Sequence, residues 1–475
     1  MKALAVDLGA TSGRVMLGEV ERGELVLEEL HRFSNTPVQL PTGLYWDTLR
    51  LFHEIRRGLS VAGREQKLKI DSIGVDTWGV DFALLGEDGA LVDNPRHYRD
   101  ARNEGMMEQA FAAAPKEEIF ESTGVQFMRI NSLYQWYAMK LAGAPALKVA
   151  KRLLFMPDLF NYWLTGVARA ERTIASTSQF YNPRQKVFAV EVLKKLGLDA
   201  SILSDLADPG TKLGPLLDEV AWFTGLGPVP VYASGGHDTA DAVVAVPASG
   251  SDWCYISSGT WSLMGVELDE PVIDPATLAE NFTNEAGAGG KIRFLKNIAG
   301  MWLLEECRAA WALEGHNFTY DELMESAAAA KPRVATIDPD AFIEPGHMPA
   351  RIAEYCQSTG QPAPEDPGQV TRVILESLAE RYKQVLASIE KLTGRKIRTI
   401  HIVGGGSQNR LLNQLVANVT GRMVAAGPVE ATAIGNVLIQ AMGAGVVKDL
   451  EEARAIVAVS FPVEEFHPSR GASGR

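Results

Sequence analysis

An α/β protein of two domains is predicted by three observations. The chain has 475 residues, enough for two or three domains of roughly 100–250 residues each. Strand-like runs ending in small polar turns alternate with helical patterns along it. A strand–turn–strand unit at the start returns after the loop "PASGSD" (Pro247 to Asp252), which places the domains at 1–246 and 247–475.

The elements follow in order. "ALAVDLGATSGRVMLGEV" reads as strand, tight turn and strand, and "ERGE" as a hairpin turn into "LVLEELHRF", so the opening is a β-meander. A helix is expected from about Trp46 to Ala62, then a strand pair in "IDSIGVDTWGVDFALL". Residues Gly105 to Leu206 read as mainly helical, with Trp136, Tyr162 and Trp163 as core aromatics. "VPVYASGGHDTADAVVAV" reads as strand, loop and helix. "CYISSGTWSLMGVEL" then repeats the opening unit, with Gly259 laid on Gly9. Further on, Ile374, Leu378, Tyr382, Leu386 and Ile389 recur at helical spacing, after the Pro/Gly-rich surface loop "TGQPAPEDPGQ". A strand, a triple glycine (Gly404 to Gly406) and a helix follow.

Composition excludes several classes. A formal net charge of −13 argues against sequence-independent binding to nucleic acid or to an anionic membrane. No apolar stretch approaches the ~18 residues of a membrane span, and the start does not read as a signal peptide. Cys254, Cys307 and Cys356 are far apart and form no C-x-x-C, which suits small hydrophobes in a reducing cytoplasm. Nothing in the sequence bears on oligomeric state.

An anionic ligand would have to be held by local donors. "DLGATSGR" offers them: Gly9 and Gly13 permit close approach, Thr11 and Ser12 carry hydroxyls, and Arg14 adds a fixed charge. The same residues also suit an ordinary hairpin. Asp7, at the end of the first strand, suits a hydrated Mg²⁺, which takes only one or two carboxylates. "SSGTWS" (Ser257 to Ser262) is a second turn of this kind, with Thr260 as donor. The triple glycine lacks the third spaced glycine of a dinucleotide fold, since Asn409 stands there, and the chain has no P-loop. The histidines show no zinc-ligand spacing. "GVDTWGVD" is either an alternating strand or a ligand-facing bend at Gly79. In "YASGGHDTADAVVAVPA", Asp238 and Thr239 stand where helix caps are common.

The order "DLGATSGR", "GVDTWGVDFALL", "HYRDAR", "MPDLFNYWLTG", "SGGHDTADA", "YISSGTWSLMG", "NIAGMWLLEECR", "HIVGGGSQNRLLNQLVANVTG" and "EATAIGNVLIQAMG" resembles the FGGY carbohydrate kinases over nearly the whole chain. The resemblance implies two actin-like ATPase (ribonuclease H-like) domains, each on a mixed five-stranded sheet, with the active cleft between them. It also implies ATP as co-substrate, Mg²⁺ and a cytoplasmic setting. "TWGVDF", "GGHDTADAV", "WCYISSGTWSLMGVE", "NFTNEAG" and "NIAGMWLLE" point within the family to phosphorylation of L-rhamnulose at its 1-hydroxyl, with another deoxy-ketose such as L-fuculose as the alternative.

Carried over residue by residue, Asp238 matches the family's catalytic base, and the dipole of the helix it begins is expected to lower its pKa. Gly79, His237, Thr239 and Asn297 match sugar-contacting positions, as does Asp238 itself. Ala10, Thr11, Ser12, Gly13 and Arg14 match the first phosphate loop, and Thr260 the second. Glu305 and Gly405 match nucleotide contacts, Glu305 departing from the Gln of the family pattern. Mg²⁺ is placed near Asp7 and Asp238.

Overall fold

The structure is a computed structural model that describes residues 1–344 and 346–469. Residue 345 and residues 470–475 of the second expected domain lie outside the described residues. By contact the chain groups into two units. One comprises Met1–Pro247, Glu267–Phe294 and Ala431–Ser460; the other comprises Ala248–Val266, Leu295–Glu430 and Phe461–Arg475.

The first unit is built on a mixed six-stranded sheet. Its strands are β1 (Lys2–Leu8), β2 (Ser12–Glu21), β3 (Glu24–Ser34), β4 (Ser72–Thr77), β5 (Lys212–Pro215) and β6 (Pro230–His237). They lie in the order β5-β6-β4-β1-β2-β3. β1 and β4 are central and parallel, and both are buried almost throughout, which is why their sequences are near-continuous small and branched apolar runs. The register sets Asp7 opposite Arg14 on β2 and opposite Asp76 on β4. The expected five-stranded sheet is extended by β5, an antiparallel edge strand on β6. The expected hairpin turn is present: Arg22 and Gly23 both take positive φ, at 54° and 80°, the conformation a two-residue hairpin loop needs.

Two expectations for this unit are corrected. "IDSIGVDTWGVDFALL" is not a strand pair, because β4 joins the main sheet while Phe82–Leu85 pairs instead with Leu91–Asp93 and Arg152–Phe155. Among the named aromatics Trp136 is fully buried, whereas Tyr162 and Trp163 are half-buried and pack against the edge of the core.

In the second unit β7 (Trp253–Ser258) and β8 (Ser262–Leu268) form an antiparallel hairpin. β9 (Thr399–Val403) runs parallel to β7, β10 (Met423–Ala426) parallel to β9, and β11 (Glu464–Phe466) antiparallel to β10. A hairpin followed by a parallel strand on its first member thus occurs twice, as β2-β1-β4 and as β8-β7-β9. The loose alignment of Gly259 on Gly9 therefore reflects repeated topology. In both turns the glycine N–H closes on a carbonyl, Gly9 on Ser12 and Gly259 on Trp261, each at 2.9 Å.

The periodic helix spans Pro367–Thr393, capped by the Asp366 side chain and ended by Gly394 at φ 70°. All five of its predicted face residues are buried, and Tyr382 hydrogen-bonds Ser262 on β8 at 2.6 Å. The three cysteines are buried and form no disulfide. No helix among the described residues is long and apolar enough to cross a membrane.

Candidate active site

β6 ends in "SGGH", and the glycines are explained by what lies against them. A Cβ at Gly235 would meet Asp241 Oδ1 at 2.4 Å, and one at Gly236 would meet Glu171 Oε2 at 2.9 Å and Pro157 at 3.0 Å. The strand register slips between Ala233 and His237, so the N–H groups there do not go to the neighbouring strand. Side chains take them. Gly235 N–H donates to Asp241 Oδ1 (2.8 Å), Gly236 N–H to Glu171 Oε2 (2.9 Å) and His237 N–H to Thr173 Oγ1 (3.2 Å). Glu171 also caps the short helix Arg172–Ala175, accepting from Thr173 N–H and Ile174 N–H. Glu171, Thr173 and Asp241 carry no local signal in the sequence, yet together they fix the last turn of backbone before Asp238.

There is no loop between strand and helix, contrary to expectation: β6 runs directly into the helix Asp238–Val244. His237 occupies the cap position, without a side-chain capping bond, and Asp238 is the first helical residue. The Thr239 hydroxyl donates to Asp238 Oδ1 at 3.2 Å, and His237 Nε2 lies 3.4 Å from the same oxygen. Gly79 belongs to this cluster, since a Cβ there would stand 3.3 Å from His237 Nε2. Any larger residue at 79 would crowd the imidazole.

The expected lowering of the Asp238 pKa is reversed. Desolvation raises it, the charge of Asp7 adds to the rise, and His237 and the Thr239 contacts offset it only in part. The helix is seven residues long and its dipole acts on a carboxylate set among other carboxylates, so burial and repulsion win. A raised pKa makes Asp238 the stronger base.

Beside Gly79, Val80 holds φ at +68°, a rare conformation for a β-branched residue. It is pinned on both sides: its N–H donates to Thr177 Oγ1 at 3.1 Å and its carbonyl accepts from Ser132 and Gln135. Next in line, the fully buried Asp81 accepts from Trp46 Nε1 (2.6 Å), Trp78 Nε1 (2.9 Å) and Gln135 Nε2 (2.8 Å). Asp81 is thus a brace under the bend. Burial nevertheless pushes its pKa up to about 6. An acid whose folded pKa is raised contributes stability that is full below the unfolded value, about 3.9, and is lost as pH climbs through the folded one. A rise of about two units corresponds to roughly 3 kcal/mol. Asp81→Asn must turn an amide donor toward one of three donors, at about 1–3 kcal/mol. In urea melts its deficit against the parent protein should be larger at about pH 5 than at about pH 8, because only the parent loses this contribution in between. A deficit independent of pH would mean that the three donors, not burial, govern Asp81.

At the β1–β2 turn the structure joins two residues expected to act apart: Arg14 Nη2 donates to Asp7 Oδ2 at 2.6 Å. Ser12, Gly13 and Arg14 lie on β2, so the turn proper is Gly9 to Thr11. It is clamped by Asn35, whose Nδ2 donates to Gly9 O at 2.8 Å and whose N–H donates to Thr11 O at 2.9 Å. Gly13 also has a packing role, because a Cβ there would lie 2.4 Å from the Phe33 ring and 2.7 Å from Leu8. Ala10 and Ser12 are half-buried and Thr11 is exposed.

In the second unit Thr260 sits in the β7–β8 turn, and its carbonyl accepts from Trp302 N–H at 3.1 Å, at the start of the helix Trp302–Leu313. Gly300 is required just before it, since a Cβ there would come within 2.7 Å of the Ser262 backbone nitrogen. Asn297 is the penultimate residue of the strand Ile292–Ile298 that leads into this helix. Glu305, in its first turn, is exposed and pairs with Arg308 at 2.9 Å, which offsets the charge of the carboxylate that stands where the family pattern has Gln. The triple glycine packs on the same turn: a Cβ at Gly406 would meet Ser258 Oγ at 2.0 Å and one at Gly404 would meet Ser258 O at 3.0 Å. Gly405 has nothing within 4 Å of its Cβ position, so its backbone offers a flat, open face.

The donor set fits a hydrated divalent cation. Asp7 raises the pKa of both Asp76 and Asp238, so these carboxylates repel one another, and a cation between them relieves that repulsion. Among the described residues no three or more His, Cys, Asp or Glu side chains gather as a metal site. Mg²⁺ does not need one, since it keeps waters and takes one or two carboxylates plus phosphate oxygens.

Comparison with known proteins gives the family. The model of the FGGY carbohydrate kinase N-terminal domain matches residues 2–245 and that of the C-terminal domain residues 254–444. A rhamnulokinase of Bacteroides thetaiotaomicron is 48% identical over 98% of this chain and 95% of its own. Another, of Pectobacterium carotovorum, is 42% identical over 98% of this chain and 92% of its own. A xylulose kinase from Lactobacillus acidophilus, solved with ligand, superposes with a TM-score of 0.81 over 98% of this chain and 94% of its own, at 16% identity. Glycerol kinase of Plasmodium falciparum with ADP gives 0.75 over 98% and 94%, at 14%. The two structural neighbours share the fold, and the repeated hairpin-plus-parallel-strand topology is that of their actin-like ATPase architecture. With both halves matched in sequence and the fold shared with sugar kinases, the chain belongs to the FGGY family of carbohydrate kinases.

Proposed function

We propose that the protein transfers the γ-phosphoryl group of ATP to the 1-hydroxyl of L-rhamnulose, giving L-rhamnulose 1-phosphate and ADP. The observation that carries this reading is Asp238, a carboxylate with a raised pKa fixed at the start of a helix and flanked by His237, Thr239 and the side-chain-free Gly79. The relatives named rhamnulokinase supply the choice of sugar.

Phosphoryl transfer asks mainly for positioning and neutralisation of charge. Asp238 takes the proton of the 1-hydroxyl as that oxygen attacks the γ-phosphorus. Gly79, His237, Thr239 and Asn297 hold the sugar. Ala10, Thr11 and Ser12 cradle phosphate oxygens with backbone and hydroxyl donors. Arg14 spends part of its charge on Asp7, so these donors carry more of the phosphate contact than the fixed charge does. Thr260, Gly405 and the Glu305 region serve the nucleotide. Asp7 and Asp238 would hold Mg²⁺, which would supply neutralisation of the charge on the phosphates.

L-Rhamnulose and L-fuculose differ only in the direction of the hydroxyl at carbon 4, so discrimination rests on one hydrogen-bonding direction. Leaving a buried polar group unpaired costs about 1–3 kcal/mol, or roughly five- to 150-fold in kcat/KM. Coupled ADP-release kinetics on the two purified ketoses should favour L-rhamnulose by at least about fivefold. Equal values, or a preference for L-fuculose, would overturn the choice of sugar and leave the kinase reading standing.

A further inference from the structure

The imidazole of His237 touches two buried charged groups that the proposed reaction does not use. Arg293, on the strand Ile292–Ile298, is fully buried, and Glu285, on the strand Thr283–Ala286, is 3% exposed. Arg293 Nε donates to Ala286 O at 3.0 Å, which orients the guanidinium. Its Nη2 lies 3.2 Å from His237 Nδ1 in hydrogen-bonding geometry. Glu285 Oε2 is 3.1 Å from Arg293 Nη2 and 3.3 Å from His237 Nδ1, and of these three contacts Arg293–His237 is the one with hydrogen-bonding geometry. Glu285 thus acts on Arg293 as a counter-charge. Burial works to raise its pKa, and Arg293 first, then His237, bring it below its ordinary value.

A guanidinium carries donors only, so the histidine nitrogen it meets must present a lone pair. The ring proton is then on the other nitrogen. We infer that Arg293 sets the tautomer of His237, holding it as an Nε2–H donor beside Asp238, and that Glu285 keeps Arg293 in place as its buried counter-ion. The inference rests on the reading of Asp238 as base. Nε2 is the nitrogen 3.4 Å from Asp238 Oδ1 and 3.3 Å from the Cβ position at Gly79, so its proton faces the sugar side. In the opposite tautomer Nε2 would present a lone pair to the carboxylate, two acceptors face to face. An Nε2–H instead turns a positive hydrogen toward the base, 3.4 Å away, and can donate to a sugar oxygen when the sugar is bound. Arg293 and Glu285 are positioning residues: they touch the histidine, not the sugar.

The test is long-range ¹H–¹⁵N correlation of the histidine rings in the full-length protein at mildly alkaline pH. His237 is assigned as the resonance lost in His237→Gln. The expected result is a protonated-type shift at Nε2 and an unprotonated-type shift at Nδ1. The reverse assignment would overturn the inference, and that outcome is read on the parent protein itself. In Arg293→Met the ring is freed to place its proton on Nδ1 and donate to Glu285, so the two shifts should exchange, and ketose-dependent kcat should fall about tenfold, the loss of one hydrogen bond to a reacting group. KM for ATP should not change. Exchange of the shifts with full kcat would remove the positioning role. The ring assignment does not depend on turnover, so a protein inactive on every ketose tested would refute the kinase reading alone.

Discussion

Asp238→Asn should leave the protein folded and able to bind ketose while kcat falls at least about 10²–10⁴-fold, the usual share of general-base catalysis. Asn matches Asp in size, and its Oδ1 can still accept from the Thr239 hydroxyl that now meets Asp238 at 3.2 Å. Gly79 and His237, the expected sugar contacts, are unaltered. What disappears is the lone pair that receives the hydroxyl proton. Calorimetric ketose binding near the parent value, together with collapsed ADP release, is the expected pair of results. Near-parental kcat would remove Asp238 from the mechanism. The raised pKa adds a second readout: kcat of the parent protein should decline on the acid side with an apparent pKa above the ordinary aspartate value of about 3.9. An acid limb at or below that value would show that the helix dipole, as read from the sequence, outweighs burial after all.

That reversal marks where sequence reasoning runs out. The meander, the repeated hairpin and the buried face of the helix Pro367–Thr393 were legible because each rests on period or on turn chemistry among near neighbours. Asp238 was singled out through motif order. The residues that build its surroundings were not. Glu171 reaches Gly236 across 65 positions and Arg293 reaches His237 across 56, and no local pattern signals either. Arg293 is a telling case: between Ile292 and Phe294 it alternates like an outward-facing strand residue, yet it is fully buried against Glu285 and His237. Ionisable residues are rarely buried unless paired, and the partner is set by topology. The Asp238 pKa failed for the same reason. A dipole can be read from a helix start, but desolvation and the charge of Asp7 come only from the packed structure.

Gly435→Ala should cost both stability and activity, although a helix propensity scale gives the opposite sign. Gly435 lies inside the helix Ala431–Gly443, where Ala is ordinarily better by about 1 kcal/mol. Here the helix packs on Asp238–Val244 so closely that a Cβ at 435 would stand 1.8 Å from the Asp241 carbonyl oxygen and 2.4 Å from its carbonyl carbon. Both atoms are backbone, so no rotamer change relieves the overlap and one helix must move. Overpacking of this kind costs about 1–3 kcal/mol or more, which exceeds the propensity gain. The helix cannot retreat freely: Asn436 Nδ2 donates to Asp76 Oδ2 at 2.6 Å, and the Ser72 hydroxyl donates to Gln440 Oε1 at 2.6 Å, tying it to β4. The other helix is held at its start by Asp241, which accepts from Ser234 and Gly235 at 2.8 Å. Moving it drags the backbone that carries His237 and Asp238. The expected result is a Tm lowered by several degrees, at about 2–4 °C per kcal/mol for a domain of this size, and a kcat reduced more than KM. A variant as stable as the parent would mean that the two helices separate without strain. The lost activity would then have to be sought elsewhere than in their contact.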